Sequence, residues 1–373
     1  MEFTTTKSII EHALGKLQSV VDTRVSIPIL SNIKIESNGQ GIDLTATNLE
    51  TTIFCHVTSA QLAVTEAGAM CVPGKQLFDI VRCCPDGPIK IARDQNDWVK
   101  VQATKAKFRI PGADPEAWPD MPDYANISWV DVPSRVLKSL ISGVDFAIPT
   151  NSSNYAIAGA YLELNETGIE AVATDGLRIA MAKAPLDTLI LDKLSVLIPE
   201  KGVAELLKLL GDFDGTVNIG LDEQTIFFRA AGNVLSTRLA AAEFPNYKTA
   251  LPLEWPNKCA IAVIPLIETL RRAALISAKE INHLVKCEFN ESTITISAQH
   301  PETGECNEQV ECKFEGDTMA LGFNVQFFSD FISLFKAGNL VIESKGPEIS
   351  MLIYPESLID GVSYRYMLMP VRL

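Results

Sequence analysis

The sequence is poor in the residues and motifs that carry enzyme chemistry. Only four histidines occur among 373 residues, and none stands in a recognisable catalytic context. There is no P-loop, GxGxxG, GxSxG or HExxH motif, the patterns that mark nucleotide binding, nucleophilic catalysis and zinc-dependent hydrolysis. These absences argue against an enzyme of the common classes.

The cysteines also lack the spacing that chemistry would need. The eight cysteines form no CxxC pair, and no histidine lies at zinc-finger spacing from them. This pattern favours reduced, buried thiols over a structural zinc site or a disulfide framework. We therefore expect no metal and no cofactor.

Long apolar runs, low-complexity tracts and long linkers are missing as well. No stretch is long enough to span a bilayer, and residues 1–7 lack the apolar centre of a signal peptide. The expected location is the cytoplasm.

The chain has an excess of acidic residues. The formal net charge of −14 argues against a surface that is basic all over. It does not exclude nucleic-acid binding, because a local basic stripe matters more than the sum of charges. A length of 373 residues allows two or three domains, each with its own core.

A helical pattern recurs along the chain. Apolar residues at helical spacing occur over residues 7–21, over 133–144 and from residue 265 onward. A second helical pattern occurs at 72–81 and 198–207, and more loosely at 322–328. The repeat is about 125 residues long, so each copy should be a domain rather than a layer of a solenoid.

Alternating segments between the helices predict strands joined by hairpins. Residues 98–103 and 227–233 are examples. Hairpin-linked strands imply antiparallel sheets with helices on one face, which is an α+β class. Proline-rich boundaries near 122–127 and 252–256 predict domains at 1–126, 127–253 and 254–373.

One hairpin carries an unusual tip. Residues 173–180 read ATDGLRIA, in which Asp-Gly is a tight-turn signal between two alternating runs. Counterparts end strands at 44–50 and 294–300, but only the middle copy contains Asp-Gly-Leu-Arg.

Five short motifs stand out along the repeat: residues 23–30 (TRVSIPIL), 173–180 (ATDGLRIA), 243–247 (EFPNY), 322–325 (GFNV) and 366–373 (YMLMPVRL). Taken together, the repeat and these motifs resemble the bacterial DNA polymerase III beta subunit family, the sliding clamps, along the whole chain. The resemblance implies three tandem clamp domains, which dimerise head to tail into a six-domain ring around duplex DNA without catalytic activity of their own.

A sliding ring holds double-stranded DNA through phosphate contacts, which attract without reading sequence. Lysine and arginine on the polar helix faces suit this role, although any amphipathic helix carries such residues outward. The resemblance adds Arg24 in one loop and Asn151 and Tyr155 in another. The helix candidates are Lys7, Lys16, Arg82, Arg135, Lys138, Lys201, Lys208, Arg271, Arg272 and Lys336.

The resemblance also implies an apolar groove for a short peptide with aliphatic and aromatic anchors. The DNA polymerase III core, the clamp loader and other clamp-motif proteins would carry such peptides. We expect Arg178 to offer a stem for packing and donors at the rim. The groove residues are Ile157, Thr174, Gly176, Leu177, Arg178, Ile179, Pro245, Ala250, Phe327, Met367, Met369, Pro370 and Val371.

Three positions depart from the pattern of the family. Leu177 stands where a histidine is common, Thr249 where a basic residue is common, and Phe327 where a tyrosine is common. All three changes lower polarity or charge, so we hypothesise a preference for a more apolar peptide or for a partner set of its own.

Ring closure requires the first domain of one chain to meet the third domain of another. By resemblance, Lys75, Phe108 and Ile110 would contact Leu275 and Ile276. The alternation of 107–110 suits an edge strand that pairs across subunits, but from the residues alone an ordinary core face is the favoured interpretation of Phe108 and Ile110.

Two other interpretations stay open at the level of sequence. One is a scaffold of three tandem α+β domains that does not bind DNA. The other is a secondary or phage-borne clamp with its own partners.

Overall fold

The computed structural model describes residues 1–21, 27–37, 39–150, 152–186, 193–251, 254–280 and 282–373. These ranges contain six α-helices and 25 β-strands. All strand pairs within the described residues are antiparallel, and so are the isolated bridges. The order strand, helix, strands, helix, strands occurs three times. The predicted α+β class and the threefold repeat are confirmed.

The first repeat contains nine strands and two helices. They are β1 (Glu2–Thr6), α1 (Lys7–Leu17), β2 (Asn32–Ser37), β3 (Ile42–Thr47), β4 (Thr51–Val57), β5 (Ala63–Glu66), β6 (Gly68–Pro73), α2 (Gly74–Cys83), β7 (Pro88–Arg93), β8 (Trp98–Ala103) and β9 (Ala106–Pro111).

The second repeat contains eight strands and two helices. They are β10 (Trp129–Pro133), α3 (Ser134–Ser142), β11 (Gly159–Asn165), β12 (Gly168–Thr174), β13 (Arg178–Ala184), β14 (Leu194–Pro199), α4 (Glu200–Leu210), β15 (Thr216–Leu221), β16 (Thr225–Ala230) and β17 (Asn233–Arg238).

The third repeat has the same order of elements. They are β18 (Asn257–Ala262), α5 (Val263–Ser277), β19 (Leu284–Phe289), β20 (Thr293–His300), β21 (Gly304–Glu315), β22 (Met319–Asn324), α6 (Val325–Ile332), β23 (Asn339–Ser344), β24 (Met351–Pro355) and β25 (Ser363–Leu368).

The chain forms two compact units, of which the first comprises Met1–Ser134 and Lys201–Leu239. It holds a five-stranded sheet in the order β5-β1-β7-β8-β9 and an eight-stranded sheet in the order β10-β15-β16-β17-β4-β3-β2-β6. Helices α1 and α2 pack against each other. Ile10, Leu14 and Leu17 of α1 are fully buried, because their spacing places them on one face.

The second unit comprises Arg135–Glu200 and Ala240–Leu373. Its single sheet has twelve strands in the order β14-β11-β12-β13-β25-β24-β23-β18-β21-β20-β19-β22. Helices α5 and α6 pack against each other. Strand β13 of the second repeat pairs with β25 of the third, so the two repeats share one continuous sheet.

The predicted helix starts are wrong by one to three residues, for a common reason. Pro73, Pro133 and Pro199 are not helical but are the last residues of β6, β10 and β14. Proline cannot donate to a strand ladder, so pairing stops there and the helix begins at the next residue. Likewise, Asn324 ends β22 and caps α6, because its side chain accepts from the N–H groups of Gln326 and Phe327.

The bounds of two other predicted helices also change. The first ends at Leu17 rather than at residue 21, and residues 18–20 form a turn. The third begins at Val263, two residues before Pro265, which lies in its first turn. In the described part of the chain, no helix combines the length and apolarity that a membrane span requires.

The turn between β11 and β12 provides a test of close packing. Gly168 has a φ of 128°, and a Cβ there would lie 2.1 Å from the carbonyl oxygen of Ala184. Gly346 has a similar φ of 147° but open space around it. We expect Gly168→Ala to destabilise the second unit by about 1–3 kcal/mol more than Gly346→Ala, because only the first adds a steric clash. Urea unfolding of both variants measures the difference, and equal midpoints would contradict the expectation.

Candidate functional site

The turn between β12 and β13 is held by its own side chains. Thr174 Oγ1 donates to the carbonyl of Arg178 (2.6 Å) and accepts from the N–H of Gly176 (3.1 Å). Asp175 Oδ1 accepts from the N–H groups of Leu177 (2.9 Å) and Arg178 (3.1 Å). Gly176 has a φ of 93°, which glycine adopts without strain. The hairpin tip predicted at 173–180 is confirmed.

The same hydrogen bonds occur in the turn between β3 and β4. Thr47 Oγ1 donates to the carbonyl of Thr51 and accepts from the N–H of Leu49, and Asn48 Oδ1 accepts from the N–H groups of Glu50 and Thr51. Leu49 occupies the left-handed position with a φ of 73°. The backbone of the turn is therefore repeated, and what distinguishes the second copy is its side chains.

Arg178 is the central side chain of the second turn. It is 8% exposed, and its three guanidinium nitrogens have separate acceptors. Nε donates to Asp175 Oδ2 (2.8 Å), Nη1 to Asp330 Oδ2 (2.7 Å) and Nη2 to the carbonyl of Phe146 (2.6 Å). The guanidinium also lies 4.1 Å from the ring centroid of Phe327. This side chain thus joins the turn to α6 and to residues before β11.

The expected donors of Arg178 at the groove rim are not found. Burial lowers the pKa of the guanidinium, but the hydrogen bond to Asp330 and the charge of Asp175 outweigh it and leave the pKa above its ordinary value. Two carboxylates and a carbonyl satisfy the group from inside. The surface above it therefore gains no free positive charge from this residue.

An apolar cluster lies beside the turn, on one face of β12, β13 and β25. Ile179 and Met367 are directly opposite each other in the β13–β25 ladder, and Ile157 packs against the cluster. Three predicted groove residues thus meet at one place. The buried members of the cluster are Val172, Ile179, Met181, Leu197, Phe244, Tyr247, Leu352 and Met367.

Residues 369–371, near the C-terminus, lie next to the turn. The N–H of Met369 donates to the carbonyl of Leu177 (3.0 Å), and the N–H of Val371 donates to the carbonyl of Gly322 (2.8 Å). A Cβ on Gly322 would lie 2.5 Å from the Val371 carbonyl oxygen, so glycine is needed for this approach. Leu177 and Met369 are 54% and 46% exposed, which leaves two apolar side chains on the surface.

The remaining groove candidates lie around this centre. Pro245 and Ala250 are exposed on the segment that carries Phe244 and Tyr247 into the cluster. Pro370 is half-buried between Met369 and Val371. Phe327 stands over Arg178, and its carbonyl accepts from the hydroxyl of Tyr366 (2.8 Å).

The sequence analysis missed several residues that build the site. Phe244 and Tyr247 were available as part of the EFPNY motif but received no role. Asp330 is the only charged residue in α6, which was a usable signal for a buried partner. Phe146 contributes its backbone carbonyl and its ring, whose centroid lies 5.5 Å from the Arg178 guanidinium, and no local spacing in the sequence links it to Arg178.

Of the helix cations proposed for DNA, several already have acidic partners. Lys7 lies 3.8 Å from Asp86, and Arg82 lies 3.3 Å from Asp79. Arg272 binds Glu308 through two nitrogens, with distances of 2.6–3.0 Å. Lys208 donates to Glu205 at 2.8 Å. These four cations are therefore partly neutralised within their own unit.

The other DNA candidates differ in exposure. Lys201 and Arg271 are exposed and make no ion pair with any residue that the structure describes. Arg135 and Lys138 are exposed on α3. Tyr155 is 74% exposed, while Arg24 and Asn151 lie outside the described residues.

The residues predicted to form the subunit contact also differ in their exposure to solvent. Phe108 is 38% and Leu275 is 72% exposed, and Lys75 is exposed on α2. Ile276 is half-buried. Ile110 is only 4% exposed, because it points into the core of its own unit, so only its backbone is available at the strand edge.

Metal chemistry finds no support in this part of the molecule. Among the described residues, no group of three or more histidine, cysteine, aspartate or glutamate side chains is placed to hold an ion.

Three family models match consecutive parts of the chain. They describe the DNA polymerase III beta subunit: its N-terminal domain matches residues 1–122, its central domain 131–246 and its C-terminal domain 248–372. The beta sliding clamp of Vibrio cholerae is 27% identical over 373 residues, and the match covers 100% of both chains.

Solved structures agree with this assignment. A DNA polymerase sliding clamp from Bacillus subtilis has a TM-score of 0.96 at 23% identity, with 100% of this chain and 99% of that chain covered, and so shares the fold. The DNA polymerase III subunit beta from Pseudomonas aeruginosa has a TM-score of 0.92 at 27% identity, with both chains fully covered. The resemblance found in the sequence is confirmed, and the chain belongs to the DNA polymerase III beta subunit family, the sliding clamps.

Proposed function

We propose that this protein is a DNA sliding clamp. It closes as a head-to-tail dimer around duplex DNA and tethers the replicative polymerase, the clamp loader and other clamp-motif proteins, which makes synthesis processive. The observation that carries the proposal is the succession of three clamp-domain matches along one chain. The protein works in the cytoplasm without catalysis of its own, and its domains span 1–126, 127–253 and 254–373.

Contact with DNA uses the phosphate backbone without reading bases. Exposed cations without an acidic neighbour suit this best, because a paired cation must first give up its partner. Of the candidate cations, Lys201, Arg271 and Lys336 are exposed and form no ion pair with a described residue. By the family resemblance, Arg24, Asn151 and Tyr155 supply closer contacts, and the exposed hydroxyl of Tyr155 is available as a hydrogen-bond donor to a phosphate.

The peptide site is the apolar surface around Ile179 and Met367. Its main attraction is burial of apolar area, since the one cation at its centre, Arg178, is already neutralised by Asp175 and Asp330. Met367 and Met369 add flexible side chains that adapt to different ligands. Short segments with aliphatic and aromatic anchors are the expected ligands.

Ring closure joins two strand edges of opposite charge. Strand β9 is at the edge of its sheet and exposes Lys107 and Arg109, of which Arg109 also lies 3.7 Å from Asp94 and is therefore partly neutralised. In β21, residues 304–311 pair with β20 on one side only, within the described residues, and Glu305 and Glu311 are exposed there. An edge with unpaired backbone groups and complementary charge can extend a sheet across subunits.

An apolar contact lies next to each edge. Phe108 and Ile80 line a hollow of about 630 Å³ on the first unit, together with Lys75. On the second unit, Leu275 projects from α5 close to β21, where Thr303 Oγ1 donates to the Ile276 carbonyl. We propose that Leu275 of a second copy enters this hollow.

A loading experiment tests the whole proposal. With a clamp loader and ATP, the protein should remain on nicked circular DNA and be lost when the circle is cut open, because a ring slides off free ends. Gel filtration of the DNA-bound fraction measures retention. Equal retention on both forms would indicate ordinary DNA binding, and no retention on either would favour a scaffold without DNA.

Reversing charge at the strand edge tests ring closure. Lys107→Glu should weaken the dimer about tenfold or more, because it places like charges across the contact, and Glu305→Lys in the same chain should restore part of the affinity. Sedimentation equilibrium measures the dissociation constant. Lys345→Glu changes the net charge equally at an exposed site away from both edges and should leave the dimer unchanged.

A loss of dimer affinity in the Lys345 variant equal to that in the Lys107 variant would contradict an interface at β9. A wild-type protein that sediments as a monomer at all concentrations would contradict the ring itself.

Peptide preference tests the three unusual groove positions. The wild type should bind a clamp peptide with leucine beside its anchors about fivefold tighter than the same peptide with aspartate there. A variant with Leu177→His, Thr249→Arg and Phe327→Tyr should show little or no preference, because it restores polarity and charge. Fluorescence anisotropy measures both affinities.

Leu358→His provides the matched control, since Leu358 is 63% exposed in the β24–β25 turn, outside the groove. The same preference in the wild type and the triple variant would show that these positions do not set specificity.

A further inference from the structure

The segment of residues 241–251, here called the wall segment, carries Pro245 and Ala250 of the groove. Its backbone is weakly tied to the rest of the unit. The N–H of Ala240 still donates to the Leu197 carbonyl, but within the described residues the backbone hydrogen bonds of the wall segment stay inside it. Side-chain contacts must therefore hold the wall segment in place.

Three side-chain contacts do so. The ring of Phe244 stacks on that of Tyr161, with centroids 5.0 Å apart and planes at 11°. The hydroxyl of Tyr247 donates to Glu170 Oε1 at 3.0 Å. Lys248 lies 3.7 Å from a carboxylate oxygen of Glu163.

The three contacts restrain the segment to different degrees. The Lys248 side chain is 60% exposed, so water and salt screen its ion pair. Stacking of Phe244 excludes water but allows the rings to slide. The Tyr247 hydroxyl is directional, and its acceptor is charged, which makes this bond the strongest constraint on position.

The environment keeps Tyr247 a donor. Burial, followed by the charge of Glu170, raises the pKa of the Tyr247 phenol, so it stays protonated throughout the physiological range. Tyr247 is also part of the apolar cluster that contains Ile179 and Met367. A shift of its ring would therefore reach the floor of the groove as well as its wall.

A related arrangement occurs in the first unit. Tyr124, in the segment that follows β9, packs on Phe54 with ring centroids 5.2 Å apart. Burial, followed by the charge of Asp43, raises the pKa of Tyr124. Asp43 of β3 pairs with β4 in the ladder, as Glu170 of β12 pairs with β13. In both units, the charge of this acidic residue raises the pKa of a tyrosine in a segment outside the strands, Tyr124 or Tyr247.

We propose that Tyr247 is a positioning residue for partner peptides, whose hydrogen bond to Glu170 fixes Pro245 and Ala250 relative to Ile179 and Met367. The inference rests on the proposed peptide-binding function of the groove. Without the bond, the wall moves more freely, and a bound peptide is released faster because one side of its site no longer stays closed.

Two matched substitutions test the role. Tyr247→Phe removes the hydroxyl and keeps the ring. Tyr354→Phe does the same to a tyrosine whose ring also packs against the apolar cluster, but its bond, to Glu343 at 2.8 Å, lies outside the wall segment. With a peptide that carries aliphatic and aromatic anchors, surface plasmon resonance should show about fivefold faster dissociation for Tyr247→Phe. Association should change little, and Tyr354→Phe should match the wild type.

Hydrogen exchange and a conservative variant separate positioning from general stability. Amide exchange should accelerate in residues 241–251 of Tyr247→Phe and not in β13 or β25. Glu170→Gln keeps an acceptor for the hydroxyl but removes its charge, so its peptide should dissociate at a rate between those of the wild type and Tyr247→Phe.

Each outcome has a distinct meaning. Identical dissociation and exchange in Tyr247→Phe and the wild type would overturn the positioning role, and so would an equal loss in Tyr354→Phe. A wild-type protein that binds no such peptide would instead contradict the proposed function of the groove.

Discussion

The buried ion cluster at Arg178 is the interaction on which the candidate peptide site depends. The guanidinium binds Asp175 in its own turn, Asp330 on α6 and the Phe146 carbonyl, and it lies against the Phe327 ring. Three separate parts of one unit, the β12–β13 turn, α6 and the segment before β11, therefore meet at a single side chain. Removing one partner from such a buried pair costs about 3–5 kcal/mol, toward the lower end here because Asp330 is 41% exposed. With all partners present, the charge is satisfied internally, and the surface above it is apolar.

A comparison of the two repeats explains why an apolar surface lies beside the β12–β13 turn and not beside the β3–β4 turn. Both turns have the same backbone hydrogen bonds, but their neighbouring strands differ. The second cross-strand pair beyond the turn is Ile179 and Met367 in the β13–β25 ladder, and Thr52 and Ser236 in the β4–β17 ladder. The first repeat also has Thr51 where the second has its arginine. Polar floor residues and the missing guanidinium leave the first turn without an equivalent apolar groove.

Local patterns predicted much of this architecture, and distant contacts account for what was missed. The hairpin at 173–180 was predictable because Asp-Gly and strand alternation are local signals. Pro73 was misassigned because proline suits both a strand end and a helix start. The inward donors of Arg178 depend on Asp330, 152 residues away, which no spacing rule reveals. Ile110 illustrates a similar limit, since alternation fixes two faces of a strand but not which face is buried.

The two proposed kinds of contact depend on different physical forces, and the sequence distributes its charge accordingly. At the groove, the central cation is neutralised and attraction comes from apolar burial, which salt does not screen. At the proposed ring edges, Lys107 and Arg109 would face Glu305 and Glu311 of a second copy, and exposed charges of this kind are screened within about 8 Å at physiological salt. Opening of the ring therefore depends on attraction between exposed charges, whereas release of a peptide depends on the burial of apolar area. A clamp built in this way can stay bound to its partner while its interface responds to ionic conditions, because no charged residue of the groove takes part in closure.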